Sequence, residues 1–444
     1  MSYFKPISIS LSPNVEKDDV KLALNLIIRP WLWRKGKKPF LHSAECKNGN
    51  AIEKLESEFK EFLGVKYAVS FNSGRSAFYA ILEALSGAEG LRAGQKVLLQ
   101  AFTCNAAINP VLWANLKPIY VDADKQTFNI NIDDLTAKIG PETLGRSPTG
   151  EPKILMVQHT FGQPVNMDEI NLIVRQNNLI LIEDCAHALG AEFNNQKVGV
   201  FGKAAFYSFS RDKVISSVYG GMAVTNDPSL AEKIQRMKGE FGMPSYWWIF
   251  QQLLHPILLN YLILPIYNFL DLGKIFLVLS QWLHILSKAV HWKEKRGLRP
   301  DYFPKALPNA LAIMALNQFS KLDKFYEHRK KTFDYYAENL KNTSFVLPVR
   351  EEKSKSSYLR FTVQHPKAHD IIYTAWHKEN ILLGDWYTTP IAPYDTKLEE
   401  MQYKTGTCPN AEWLAKKTLN LPTHVNISLK DAKRIVDFLK KYDY

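Results

Sequence analysis

Phe206-Tyr207-Ser208-Phe209-Ser210-Arg211-Asp212-Lys213-Val214-Ile215-Ser216-Ser217-Val218-Tyr219-Gly220-Gly221-Met222 sets one lysine, Lys213, among aromatics, hydroxyls and a glycine pair. The alternating run Ala223-Val224-Thr225 that follows reads as a strand leaving this site. Desolvation disfavours the charged form of a lysine and lowers its pKa from a free value of about 10.4. A neutral amine attacks an aldehyde, so a Schiff base is the chemistry to test first. An ordinary surface lysine is the alternative, and the rest of the chain decides between them.

Working back from Lys213, apolar strands alternate with helices. Lys66–Phe71, Val97–Gln100, Pro118–Asp122, Ile154–His159 and Leu179–Asp184 read as strands. Helices are expected over Ala51–Leu63, closed by Gly64, and over Ala77–Leu85, Ala106–Ala114 and Met167–Asn177. Strands apolar on both faces and separated by helices indicate a mostly parallel sheet sandwiched by helices. Ligands of such sheets bind beyond the carboxyl ends of the strands. Ser73, Cys104, His159 and Asp184 all lie there and are expected to face one crevice. Asn72-Ser73-Gly74-Arg75-Ser76 puts backbone N–H groups at a helix N-terminus, where a phosphate is stabilised. Asp184 ends a buried strand three residues before His187, and a protonated pyridine nitrogen suits such a buried acid. A structural acid paired with arginine or a backbone N–H is the alternative.

The chain has 444 residues, an apolar content of 46% and a formal charge of +12. Its length calls for two or three structural units. Its charge favours nucleotide diphosphates, phosphorylated metabolites or an anionic membrane surface. No zinc-finger spacing, RNA-recognition signature or long basic helix is present, so a nucleic-acid partner is not expected. Cys46, Cys104, Cys185 and Cys408 form no CxxC pair, so no metal site is expected and free thiols in a reducing cytosol are. The N-terminus lacks the apolar core of a signal peptide.

Together these motifs resemble the DegT/StrS-type sugar aminotransferases, fold-type-I enzymes that use pyridoxal 5′-phosphate. The resemblance runs from about Ile7 to Tyr442, apart from the segment after Gly239. It rests on Ser73-Gly74-Arg75, Phe102-Thr103, Asp184-Cys185-Ala186-His187, Ser208-Phe209 with Lys213 and Gly220-Gly221, Cys408-Pro409-Asn410-Ala411-Glu412, and Leu419-Asn420-Leu421-Pro422-Thr423-His424. It implies that Lys213 binds the cofactor and shuttles a proton, that Asp184 pairs with the pyridine nitrogen, and that His187 lies against the ring. Gly74, Arg75 and Ser208 would hold the phosphate. It further implies a keto-sugar substrate, nucleotide-linked, with glutamate as amino donor, in surface glycan synthesis, and a homodimer. Family relatives that dehydrate sugars replace the lysine with histidine, and Lys213 argues against that branch. A cofactor-binding protein of weak turnover is a further alternative, suggested by two departures. Cys104 stands where the family has a stacked aromatic: it would still pack on the cofactor ring while covering less of its face, and the alternative is that His159 or Phe161 fills the gap. The Asn–aromatic–Arg pattern given by a neighbouring subunit is missing, with Asn309 as its substitute.

From Tyr246 to Leu270 there is no Asp, Glu, Lys or Arg. A turn, Asp271–Lys274, leads to a second apolar run, Ile275–Leu286, and then to Lys288, Lys293, Lys295, Arg296 and Arg299. Pro256 and Pro265 disfavour a straight spanning helix, so a kinked hairpin is expected to dip into one leaflet, its tryptophans and basic residues at headgroup level. Residues 244–292 would then meet the cytoplasmic face of a membrane. An oligomer interface and burial against the body are the alternatives. The expected organisation is a large cofactor-binding domain over 1–242, the apolar helical insertion over 243–303, and a bridging helix (Leu311–Leu340) with a small α+β domain over 304–444.

Overall fold

In the computed structural model, described for residues 5–34, 50–88, 93–139 and 153–443, seven strands form the central sheet. They are β1 (Tyr67–Phe71), β2 (Lys96–Gln100), β3 (Lys117–Val121), β4 (Lys153–Gln158), β5 (Leu179–Asp184), β6 (Ala204–Ser208) and β7 (Gly221–Thr225). Their spatial order is β1-β7-β6-β5-β4-β2-β3, and only β7 runs against its neighbours. Alternate side chains feed two apolar layers. Leu155 and Val157 of β4 join the layer that holds Leu55 and Phe59 of helix Ala51–Leu63. Ile154 and Met156 join the layer built on Phe78, Ile81 and Leu85 of helix Gly74–Ala88. Burial on both faces is why these strands read as unbroken apolar runs.

A smaller α+β unit follows. Strand Arg360–Gln364 pairs antiparallel with Thr418–Pro422, and Ile7–Ser8 pairs in parallel with Ile381–Leu382. Helices Leu322–Leu340 and Leu429–Leu439 cover this unit through Phe333, Tyr336, Ile435 and Val436. The helix expected to run unbroken to Leu340 is interrupted. Asn309–Phe319 ends before Lys321, whose backbone (φ −103°, ψ 7°) leaves the helical region and whose amine is held by Asp18 at 2.8 Å and Asp19 at 2.9 Å.

The apolar segment folds as helix Tyr246–Leu258, a π turn over Leu259–Ile263, and helix Leu272–Trp282. The reversal falls at Leu270 and Asp271, both at positive φ, rather than across Asp271–Lys274. Gly273 is required there, since a Cβ would fall 2.3 Å from the Ile263 carbonyl oxygen. The first helix lies on the body, with Trp248 5.4 Å from Tyr219 and Phe250 6.3 Å from Trp33. The second leaves Val278 66% and Trp282 73% exposed. Among the described residues, no helix is long and apolar enough to cross a membrane. Most of the basic run after it does not stand free at a headgroup level. Lys293 meets Asp301 at 3.4 Å, Lys295 pairs with Asp395, and Arg296 meets Glu400 at 3.5 Å.

Candidate active site

Helix Gly74–Ala88 begins where β6 and β7 meet. Ser73 caps it, its Oγ accepting from the Ser76 N–H at 3.0 Å. The two glycines allow this contact. A Cβ on Gly221 would sit 2.4 Å from the Gly74 nitrogen, and one on Gly74 would sit 3.0 Å from Ser208 Cβ. Gly74, Arg75, Ser208 and Ser210 thereby line one end of a cavity, with the two serine hydroxyls 3.1 Å apart. N–H groups at a helix N-terminus with adjacent hydroxyls suit a phosphate.

Lys213 lines the same cavity. Burial lowers its pKa to about 8, and Cys104, Asp184 and Asp212 limit the fall. Asp184, at the end of β5, accepts the Ala186 N–H at 2.9 Å. Burial raises its carboxyl to about 6, against the pull of that N–H and of Lys213 and His159. His187 accepts the Phe161 N–H on Nδ1 at 3.2 Å, which leaves the proton on Nε2. Burial, then the charges of Lys213 and Arg360, hold this imidazole well below its usual range.

All seven residues singled out from the sequence, Gly74, Arg75, Cys104, Asp184, His187, Ser208 and Lys213, line this one cavity. His159 does not. Strand alternation turns Glu183 away from the crevice when Asp184 faces it, and His159 follows Glu183, with Nε2 3.2 Å from its Oε2. Glu183 also accepts the N–H groups of Gly199, Phe201 and Gly202. Phe161 stands behind His187, their rings 6.2 Å apart and nearly parallel. Asn309 is no partner-subunit contributor. It is buried, accepts the Ala51 N–H and donates to the Leu32 carbonyl.

The aromatic cover comes instead from Trp386 and Tyr387, which line the cavity from the smaller unit. Trp386 stacks on His187 at 4.9 Å, carries the Arg360 guanidinium 3.3 Å from its ring centroid, and is anchored by its N–H to Asn420 Oδ1 at 3.0 Å. The available signal was Gly384-Asp385-Trp386-Tyr387, bulky aromatics directly after a short strand. The residues present fit pyridoxal 5′-phosphate. Gly74, Ser208 and Ser210 would take its phosphate, Asp184 its ring nitrogen and Lys213 its aldehyde.

The family model described as the DegT/DnrJ/EryC1/StrS aminotransferase family matches residues 37–252 and 303–440. The chain belongs to this family. DegT/DnrJ/EryC1/StrS relatives include GDP-perosamine synthase of Caulobacter vibrioides, 33% identical over 56% of this chain. That match spans 63% of the synthase's own length. Among solved structures of the same fold, Helicobacter pylori PseC, an aminotransferase involved in the biosynthesis of pseudoaminic acid, superposes with a TM-score of 0.71 at 22% identity, covering 98% of this chain and 99% of that one. The E. coli GDP-4-keto-6-deoxy-D-mannose-3-dehydratase with bound hydrated PLP gives 0.70 at 20% identity, covering 98% and 100%. Residues 253–302 lie between the two segments that the family model matches.

Proposed function

We propose that the protein is a pyridoxal-phosphate-dependent aminotransferase that converts a nucleotide-linked keto-sugar to an amino sugar, with glutamate as donor, for surface glycan synthesis. The observation that carries this reading is the meeting of Lys213, its amine pKa lowered to about 8, with Asp184 and the helix start at Gly74 in one cavity. The relative named as a GDP-perosamine synthase supports the nucleotide-linked sugar. Pyridoxal 5′-phosphate, when bound, supplies the electron sink for the reaction. Asp184 strengthens that sink by keeping the ring nitrogen protonated. Lys213 would hold the cofactor, and its Nζ, neutral above about pH 8, would serve as the group that takes up and returns the substrate proton. Trp386 and Tyr387 exclude water from that amine. The enzyme acts as a homodimer in the cytoplasm, and its exposed apolar helix Leu272–Trp282 rests on the inner membrane face.

Purified protein with added cofactor is expected to show the visible band of lysine-bound cofactor, and borohydride is expected to fix the label on Lys213. Glutamate should discharge the band and a keto-sugar nucleotide should restore it. Protein that stays colourless, or a band that glutamate leaves unchanged, defeats the aminotransferase reading. Loss of a sugar hydroxyl without nitrogen transfer would place the protein with the dehydratases.

A further inference from the structure

Glu294 belongs to the stretch that the family model leaves unmatched, yet it is 0% exposed and bonds Arg75, which lines the cofactor cavity. Its Oε1 accepts from Arg75 Nη1, and its Oε2 accepts the His291 N–H at 2.9 Å. Its backbone carbonyl takes the side-chain amides of Asn105 at 3.2 Å and Asn109 at 3.1 Å, both on the helix that starts directly after Cys104. Two further bonds tie the strand of chain before it. Arg211 donates to the Ser287 carbonyl at 2.8 Å, and the Tyr219 hydroxyl donates to the Lys288 carbonyl at 2.7 Å. Between these ties Ala289 and Val290 line the cavity.

A buried carboxylate is costly unless a charge and hydrogen bonds compensate it. Arg75 is the compensation, and the dependence is mutual. Burial pulls the Arg75 pKa down, and Glu294, together with Tyr219 and Tyr302, more than offsets this and raises it. The guanidinium is planar, with donors in a fixed fork. Phe303 lies 4.7 Å from one face and Glu294 holds Nη1 on one edge, while Arg75 also lines the cavity at its phosphate end.

We infer that Glu294 is a positioning residue that fixes the orientation of Arg75 toward the cofactor phosphate, and that Ser287–Glu294 builds a wall of the cofactor site from within the same chain. This rests on the pyridoxal-phosphate reading above. The segment that follows the apolar helices supplies this part of the wall through Ala289 and Val290.

The test compares binding of pyridoxal 5′-phosphate with that of pyridoxal, which lacks the phosphate, through the visible band of lysine-bound cofactor. Glu294→Gln keeps the shape and removes the charge. It is expected to lower the preference for the phosphorylated form about tenfold, the scale of one charge-assisted hydrogen bond, with pyridoxal binding unchanged. In an Arg75→Gln background the same substitution should change nothing further. Asn109→Ala, which loosens the Glu294 backbone without altering charge, should lower the preference in the same direction by less. A merely structural role would weaken both ligands alike. An unchanged preference overturns the inference. So does a raised one, which would mean that Glu294 competes with the phosphate for Arg75, and so do additive effects in the double variant. Wild-type protein that forms no band with either ligand overturns the cofactor reading as well, so the two failures are distinguishable.

Discussion

The Lys213 amine stands 4.6 Å from the ring centroid of Trp386, and the two sit on loops far apart in the chain. The lysine enters from the loop after β6, and the tryptophan enters from the loop after strand Ile381–Leu382. The indole covers one side of the amine, and its backbone is tied to the smaller unit through Asn420. Because burial is what depresses the lysine pKa, the state of the nucleophile depends on how that unit is seated.

Capture of pyridoxal 5′-phosphate should therefore follow the neutral fraction of Lys213. A lowered pKa means that the charged form dominates below about 8. The capture rate should rise about tenfold per pH unit below that value and level off above it. Stopped-flow absorbance between pH 6 and 9.5 measures this. Lys213→Ala should show no capture at any pH.

Trp386→Ala admits water to the amine. The midpoint of the same pH profile should move up by about one unit, while Trp386→Phe should leave it near 8. A profile unmoved by Trp386→Ala would show that the indole does not control the lysine.

Asp184 gives the opposite pH signature. Its carboxyl titrates near 6 because it is buried. As pH falls through that value the group becomes neutral and no longer favours a protonated ring nitrogen, so cofactor affinity should drop. The fold behaves the other way in cofactor-free protein. A carboxyl whose pKa is raised by folding stabilises the native state at low pH, and that contribution is lost as pH rises through about 6. Asp184→Asn should remove both trends and cost on the order of 100-fold in turnover. Equilibrium dialysis and denaturant titration across pH 4–8 separate the two.

Glu183→Ala tests the neighbouring network, which is structural. It strands three backbone N–H groups and His159 in the interior. A loss of about 3–5 kcal/mol in unfolding free energy is expected, with the wavelength of the cofactor band unchanged in the fraction that folds.

Association with membranes is best tested by point substitution, since helix Tyr246–Leu258 packs on the body and its deletion would expose the core around Trp248. Ile275→Asn with Val278→Asn and Trp282→Ser changes only exposed side chains. Wild-type protein should sediment with anionic phosphatidylglycerol vesicles, and the triple variant should remain in the supernatant with its cofactor band intact. Wild-type protein that stays free of vesicles ends the membrane proposal.

The sheet was legible because β2, β4 and β5 are buried on both faces and so carry unbroken apolar runs. Lys213, Asp184 and Gly74 were legible because strand ends and a helix start place their neighbours locally. Trp386 and Glu294 were not. Trp386 lines the cavity and Glu294 holds Arg75 beside it through contacts with residues far away in sequence, and no local period marks them. Glu294 is further concealed by its neighbours Lys293, Lys295 and Arg296, which read as one basic cluster although Asp301, Asp395 and Glu400 each take one of them. Lys321 interrupts an apparently continuous helix for the same reason, since its acidic partners Asp18 and Asp19 lie near the other end of the chain.

The bond between Arg75 and Glu294 also limits how the chain can be shortened. Trimming the region from Leu253 to Tyr302 would leave an interior arginine without its counter-ion and the cavity without Ala289 and Val290. Neither partner tolerates the loss of the other cheaply, so the segment cannot be cut away without unsettling the arginine beneath it. What looks from outside like an appendage is, at its inner end, part of the wall of the site.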